Sequence, residues 1–305
     1  MTLLATRPAP EPDSQTPGKH RLHEPGGRGG LVEVFRSRNV VQMLVRRDLR
    51  LKYRTSSIGY LWAFVKPTIQ FCVYFFIIGI VLGLERRVEN FAIYVFSGLA
   101  LLSFFNDTLS GATRSILKNR AIIKKVWLPR EIFPIAGLMV AAARLVPQLI
   151  ILMVGATATG WYFTWSGLLA AATGVVIVAV WAISFGLLLA ALNVYVREIS
   201  NVLELTGFLT HWTTPMIKPW DLIPGRVAGL GTFGTVITAI YIYNPLCTAI
   251  ELFHYAFWMP TIDFDFTLSP HLWTRAWVML VIGLAFLVVA QSVFRRLQAN
   301  FAEEL

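Results

Sequence analysis

Apolar runs of membrane length constrain this chain more than any other feature. The run TIQFCVYFFIIGIVLGL follows Pro67, and another extends from Leu168 to Leu192. A helix needs about 20 apolar residues to cross about 30 Å of hydrocarbon. Several such runs in a chain of 305 residues point to a multi-span helical membrane protein. Composition agrees: 56% of the residues are apolar and 14% are charged. A soluble chain carries about 25% charged residues. A soluble enzyme, a secreted disulfide scaffold and a disordered chain are thereby excluded.

Six spans are predicted. They are the run after Pro67 to Leu84, Phe91 to Ala112, Ile132 to Thr157, Leu168 to Leu192, a more polar stretch from Asn201 to Pro215, and Leu272 to Phe294. Residues 1–30 are rich in Pro, Gly and charge, without a signal-peptide core, and read as a disordered cytosolic tail. Residues 31–58 follow as an amphipathic segment, and 59–305 form the six-span domain. At 100° per residue Arg46, Arg47, Arg50 and Arg54 share one arc, and Val41, Leu44, Val45 and Leu49 the opposite one. Such a helix lies in the membrane interface. Asp48 and Lys52 fall on its apolar side, where their i,i+4 spacing allows them to pair.

Residues 229–258 are apolar but broken at Asn244-Pro245, and each half is too short to span. One kinked helix or a re-entrant hairpin would satisfy the pattern. The distribution of basic residues favours the hairpin. With a cytosolic N-terminus and six spans, seventeen basic residues face inward and five outward. A seventh span would place Arg295 and Arg296 outside. Both termini are therefore expected in the cytosol, and the net charge of +10 reports orientation rather than nucleic-acid binding. Cys72 and Cys247 read as packing residues, and no Cys/His cluster has metal-binding spacing.

No phosphate-cradling G-x-x-x-x-G-K-[ST] occurs, and no protease or hydrolase signature. Asp263 and Asp265 could hold a divalent metal and a sugar nucleotide, which would suit a membrane glycosyltransferase. Four landmarks point elsewhere. The first is RDLRLKYRTSSIGYLW, Arg47 to Trp62, followed by Pro67; the second is NRAIIKKVWLPR, Asn119 to Arg130. Val196-Arg197-Glu198-Ile199 and Asn244-Pro245-Leu246 are the others. In this order they resemble the permease family of bacterial ABC exporters of lipid-linked polysaccharides, which includes O-antigen, teichoic acid and galactan exporters. Glu198 stands where the family commonly has Asp, and keeps the charge.

The resemblance implies a homodimer in the plasma membrane, paired with two copies of a separate ATPase subunit that binds ATP and Mg2+. No cofactor is then expected in this chain. It implies that the inner loops press on the ATPase, with Asn119, Arg120, Lys124, Lys125, Pro129, Arg130, Arg197 and Glu198 as coupling residues. The Arg46, Arg47, Arg50 and Arg54 arc either attracts anionic lipid or grips the pyrophosphate of a lipid-linked glycan, for which arginine offers a bidentate fork. Tyr74, Phe104, Phe105, Arg144 and Trp212 are placed to line a conduit. Charged or titratable residues inside spans are Asp107, Arg144, Glu204 and His211, functional suspects by position. Arg144 and Asp107 differ in depth, so pairing needs extended side chains. A permease for drugs or small lipids is the alternative within the resemblance. The Pro-, Gly- and Arg-rich tail and high Ala content lean toward the galactan of arabinogalactan.

Overall fold

The computed structural model describes residues 34, 37–53, 61–81, 83, 88–126, 128–196, 198–216, 227–263 and 268–301. The tail 1–30, the end of the amphipathic segment at 54–58 and Asp265 lie outside the described residues. Every regular element among the described residues is helical.

Helix α1 (Arg38–Tyr53) carries Arg46, Arg47 and Arg50 of the basic arc. Its opposite face is buried through Val41 and Leu44, which join a core with Ile132, Phe133 and Ala136. Helix α2 (Trp62–Val73) continues as a π-helix over Tyr74–Val81. The expected first span thus starts earlier than Pro67, which sits inside α2. A proline there removes one helical donor. Helix α3 is Phe91–Thr113, and two short turns follow, α4 (Ser115–Lys118) and α5 (Arg120–Ile123). Helix α6 is Ile132–Ala158.

Helix α7 is Trp165–Tyr195, longer at both ends than predicted. Its start is set by Thr164, whose hydroxyl accepts from the Gly167 amide at 3.1 Å. Its extension is allowed because buried Asn193 finds partners: it donates to the Thr113 carbonyl at 3.3 Å and accepts from Ser200 Oγ at 3.1 Å. Helix α8 (Ile199–Trp212) occupies the place of the predicted fifth span. With 14 residues it rises about 21 Å, short of the hydrocarbon thickness. It stops ahead of Pro215, which cannot continue a helix in register.

Helices α9 (Gly231–Ile242) and α10 (Pro245–Phe253, extended by further helical turns to Thr261) are bent by 60° at their junction. The break is chemical: Asn244 Oδ1 accepts from the Leu246 amide at 2.9 Å and Pro245 opens α10. This geometry is common to a broken span and a re-entrant loop. The last helix, α11, is Leu272–Leu297. Five helices among the described residues are long and apolar enough to cross a membrane, or six if the bent pair is one span.

Helix α3 is the centre of the bundle. Within its apolar window 83% of residues are buried, against 28% for α6 and 22% for α11. The outer helices expose Met139, Val146, Val154, Val281 and Val288 to their surroundings. Hydrocarbon or a partner satisfies such faces, and water does not. The crossing of α3 with α6 is a backbone contact. A Cβ at Gly137 would lie 2.8 Å from the Gly111 carbonyl carbon and 2.9 Å from the Ala112 nitrogen.

Candidate functional site

The close crossing of α3 and α6 leaves a cleft beneath α1. Its volume is about 470 Å³, and Leu44, Phe133, Ala136 and Val140 contribute apolar wall. Cations dominate its polar lining: Arg47 and Lys52 from α1, Arg114 and Lys118 from the end of α3 and from α4, and Arg144 from α6. The acids are Asp48 and Asp107. A second hollow of about 770 Å³ lies on the open side of α1, against Asn39, Gln42, Met43, Arg46, Arg47, Arg50 and Leu51. Arg47 lines both.

The ion pairs differ from expectation in one respect. Asp48 does not pair with Lys52. It accepts from Arg47 Nη2 at 2.9 Å and from Lys118 Nζ at 2.7 Å. The contact of α1 with the end of α3 brings Lys118 within reach, while Lys52 faces the Asp107–Arg144 pair instead. Arg144 Nη2 lies 2.8 Å from each carboxylate oxygen of Asp107. The difference in depth along α3 and α6 is therefore bridged by the long arginine side chain. Loss of hydration within the cleft, and next the Arg144 guanidinium, hold the Lys52 ammonium below the usual lysine range. Arg46 and Arg50 are exposed, Arg47 is half-buried, and Arg54 lies outside the described residues.

The loop residues divide into anchored and open ones. Asn119 is buried: its Oδ1 accepts from Arg47 Nη2 at 2.7 Å, and its Nδ2 donates to the Ser115 carbonyl at 2.8 Å. The loop is thereby tied to α1. Arg120, Lys124 and Lys125 are exposed, and Pro129 is half-buried. Arg130 donates to the Gln298 carbonyl and lies over the Phe301 ring at 5.4 Å. Tyr195, at the end of α7, donates to the Leu297 carbonyl at 2.8 Å and meets the same Phe301 ring. The end of α11 is thus gripped both from the 119–130 loop and from the end of α7. Arg197 lies outside the described residues, and Glu198 precedes α8.

The expected conduit residues are dispersed. Phe104 and Phe105 are buried in the core, at 3% and 5% exposure. Tyr74 is half-buried, and Trp212 is open on α8. Glu204 is exposed and His211 half-buried. Asp263 is described, with its amide 3.4 Å from Glu89 Oε2.

One charged cluster escapes the sequence reading. Arg275 Nη2 lies 2.9 Å from Glu251 Oε2, and Nη1 donates to the Ile242 carbonyl at 2.9 Å. The hydroxyl of Ser269 contacts both charged groups. All three residues are buried, and the cluster joins α10 and the end of α9 to α11. In the sequence Arg275 passes for a flanking outer cation. Glu251, a lone acid within an apolar run, was the available signal.

The chain matches no protein-family model. It is 23% identical over 275 residues to the O-antigen export system permease protein RfbA of Klebsiella pneumoniae, covering 88% of this chain and 95% of that one. It is 25% identical over 275 residues to the O-antigen export system permease protein RfbA of Myxococcus xanthus, covering 90% of this chain and 98% of that one. The similarity spans all four landmarks together, over most of the length of each relative. The chain is a multi-pass membrane protein that is similar, over nearly its full length, to O-antigen export system permease proteins.

Proposed function

We propose that the chain is the transmembrane subunit of an ATP-driven exporter that moves a lipid-linked polysaccharide across the plasma membrane. The observation that carries this reading is the near full-length similarity to O-antigen export permeases. The basic helix α1 beside the bundle supports the substrate class. A lipid-linked glycan in the inner leaflet would approach laterally and meet Arg46, Arg47, Arg50 and Arg54 with its pyrophosphate. Among such glycans the galactan of arabinogalactan is one candidate, suggested by the composition of the tail. ATP hydrolysis belongs to a separate subunit in two copies, with both termini of this chain in the cytosol. A second copy of the chain would cover apolar faces such as Leu205, Leu209 and Trp212 of α8, which are exposed here.

Two experiments test the roles. Reversing Lys124 and Lys125 to Glu, both exposed, should lower export about tenfold and weaken co-purification with the ATPase subunit, because like charges at a docking face oppose association. Membrane insertion should be unchanged. Normal export and co-purification would remove the coupling role from these residues. Arg→Lys at positions 46, 47, 50 and 54 keeps the charge but loses the bidentate fork. It should reduce export and substrate-stimulated ATPase activity of the assembled complex several-fold, with basal hydrolysis retained. Wild-type export by that variant would leave only lipid attraction for the arc.

A further inference from the structure

The export role assigns nothing to the wall of the cleft formed by α3 and α6. Five cations line that cleft against two acids, an excess of three positive charges. Arg47 and Lys118 share Asp48, and Arg144 holds Asp107. Lys52 and Arg114 have no carboxylate within 4.0 Å among the described residues. Both are exposed at the rim of the cleft, where the excess of positive charge attracts an anion. The cleft volume of about 470 Å³ suits a ligand group rather than a single ion.

The Asp107–Arg144 pair is open to that volume. Its side chains are 28% and 29% exposed, so both remain within reach of an incoming group. A phosphate oxygen presents to a guanidinium the same acceptor geometry as a carboxylate. It can therefore take the place of Asp107 without moving Arg144.

We propose that this cleft seats the diphosphate of a phosphorylated lipid, with Lys52, Arg114 and Arg144 as its cationic ligands and Asp107 as the internal counter-ion that it displaces. The open arc of α1 collects the headgroup, and Arg47, which lines both hollows, lies between the two positions. This deepens the export reading and rests on it for the identity of the lipid. The anion chemistry of the cleft does not depend on it.

The counter-ion gives the site a sign that a structural ion pair lacks. Asp107→Asn frees Arg144 and should tighten diphosphate binding about tenfold. Lys52→Met should weaken it about tenfold, the effect of one charge-assisted contact. The measurement is calorimetric titration of the purified full-length chain with a polyprenyl pyrophosphate, with inorganic pyrophosphate as competitor. Lys52 makes no ion pair among the described residues, so its variant keeps the test valid if Asp107→Asn folds poorly. Unchanged affinity in Lys52→Met, or weaker binding in folded Asp107→Asn, would overturn the proposal and leave the export reading standing. Equal displacement by vesicles of phosphatidylglycerol would overturn the diphosphate assignment. The expected affinities in an assembled complex that exports no glycan would instead overturn the export reading and leave the site.

Discussion

Arg275→Met is expected to cost about 3–5 kcal/mol of stability, the range for removing one partner of a buried ion pair. Glu251 would remain at 3% exposure with its strongest partner gone. The Ile242 carbonyl would lose its donor at the end of α9. Arg275→Lys should recover little, because an ammonium cannot match the fork that serves Glu251 and Ile242 together. Replacing both charges, Glu251→Leu with Arg275→Met, should recover much of the loss, since no uncompensated charge remains. Thermal unfolding of the detergent-purified chain would read the single substitution as a fall of roughly 10 °C. A midpoint within a degree or two of wild type would show that the cluster carries no such energy.

Gly137→Val is the second large effect expected. The new side chain would meet backbone atoms of Gly111 and Ala112 at under 3.0 Å, and backbone cannot rotate away as a side chain can. Overpacking of this kind costs typically 1–3 kcal/mol. Here it also forces apart the two helices that carry Asp107 and Arg144. Gly111→Ala provides the contrast: its Cβ would meet Gly137 at 3.5 Å, an ordinary contact. Size-exclusion profiles and thermal midpoints should therefore separate a damaged Gly137→Val from a near-normal Gly111→Ala. Equal tolerance of both would contradict the close crossing.

Element positions were legible wherever hydrophobic length alone decides them. Phe91–Thr113, Ile132–Ala158 and Leu272–Leu297 begin at the predicted residues, because apolar runs of span length leave few alternatives. Where single side chains set the boundary, sequence reasoning missed. Thr164 moved the start of α7, and buried Asn193 allowed its extension. The fifth expected span fell short because a Thr-Thr-Pro sequence follows Trp212. The basic arc of α1 follows from helical period, and Arg46 and Arg50 are open as expected. Partners are another matter. Asp48 chose Lys118, 70 residues away, over its helical neighbour Lys52, and Arg275 found Glu251 across 24 residues. Spacing along one helix cannot predict a contact that depends on how two helices cross.

In the role proposed above, this chain forms a route for a lipid-linked polysaccharide driven by a separate ATPase. Reconstitution tests it most directly. The chain, co-purified with its ATPase subunit in proteoliposomes, would be loaded with lipid-linked glycan on the ATPase side, and glycan on the far side would be measured. ATP-dependent appearance of glycan is predicted, with no ATP hydrolysis by the chain alone, since it has no phosphate-cradling loop. ATP hydrolysis that tracks the isolated chain through purification, or a complex that hydrolyses ATP and binds the glycan yet never delivers it across, would contradict the account.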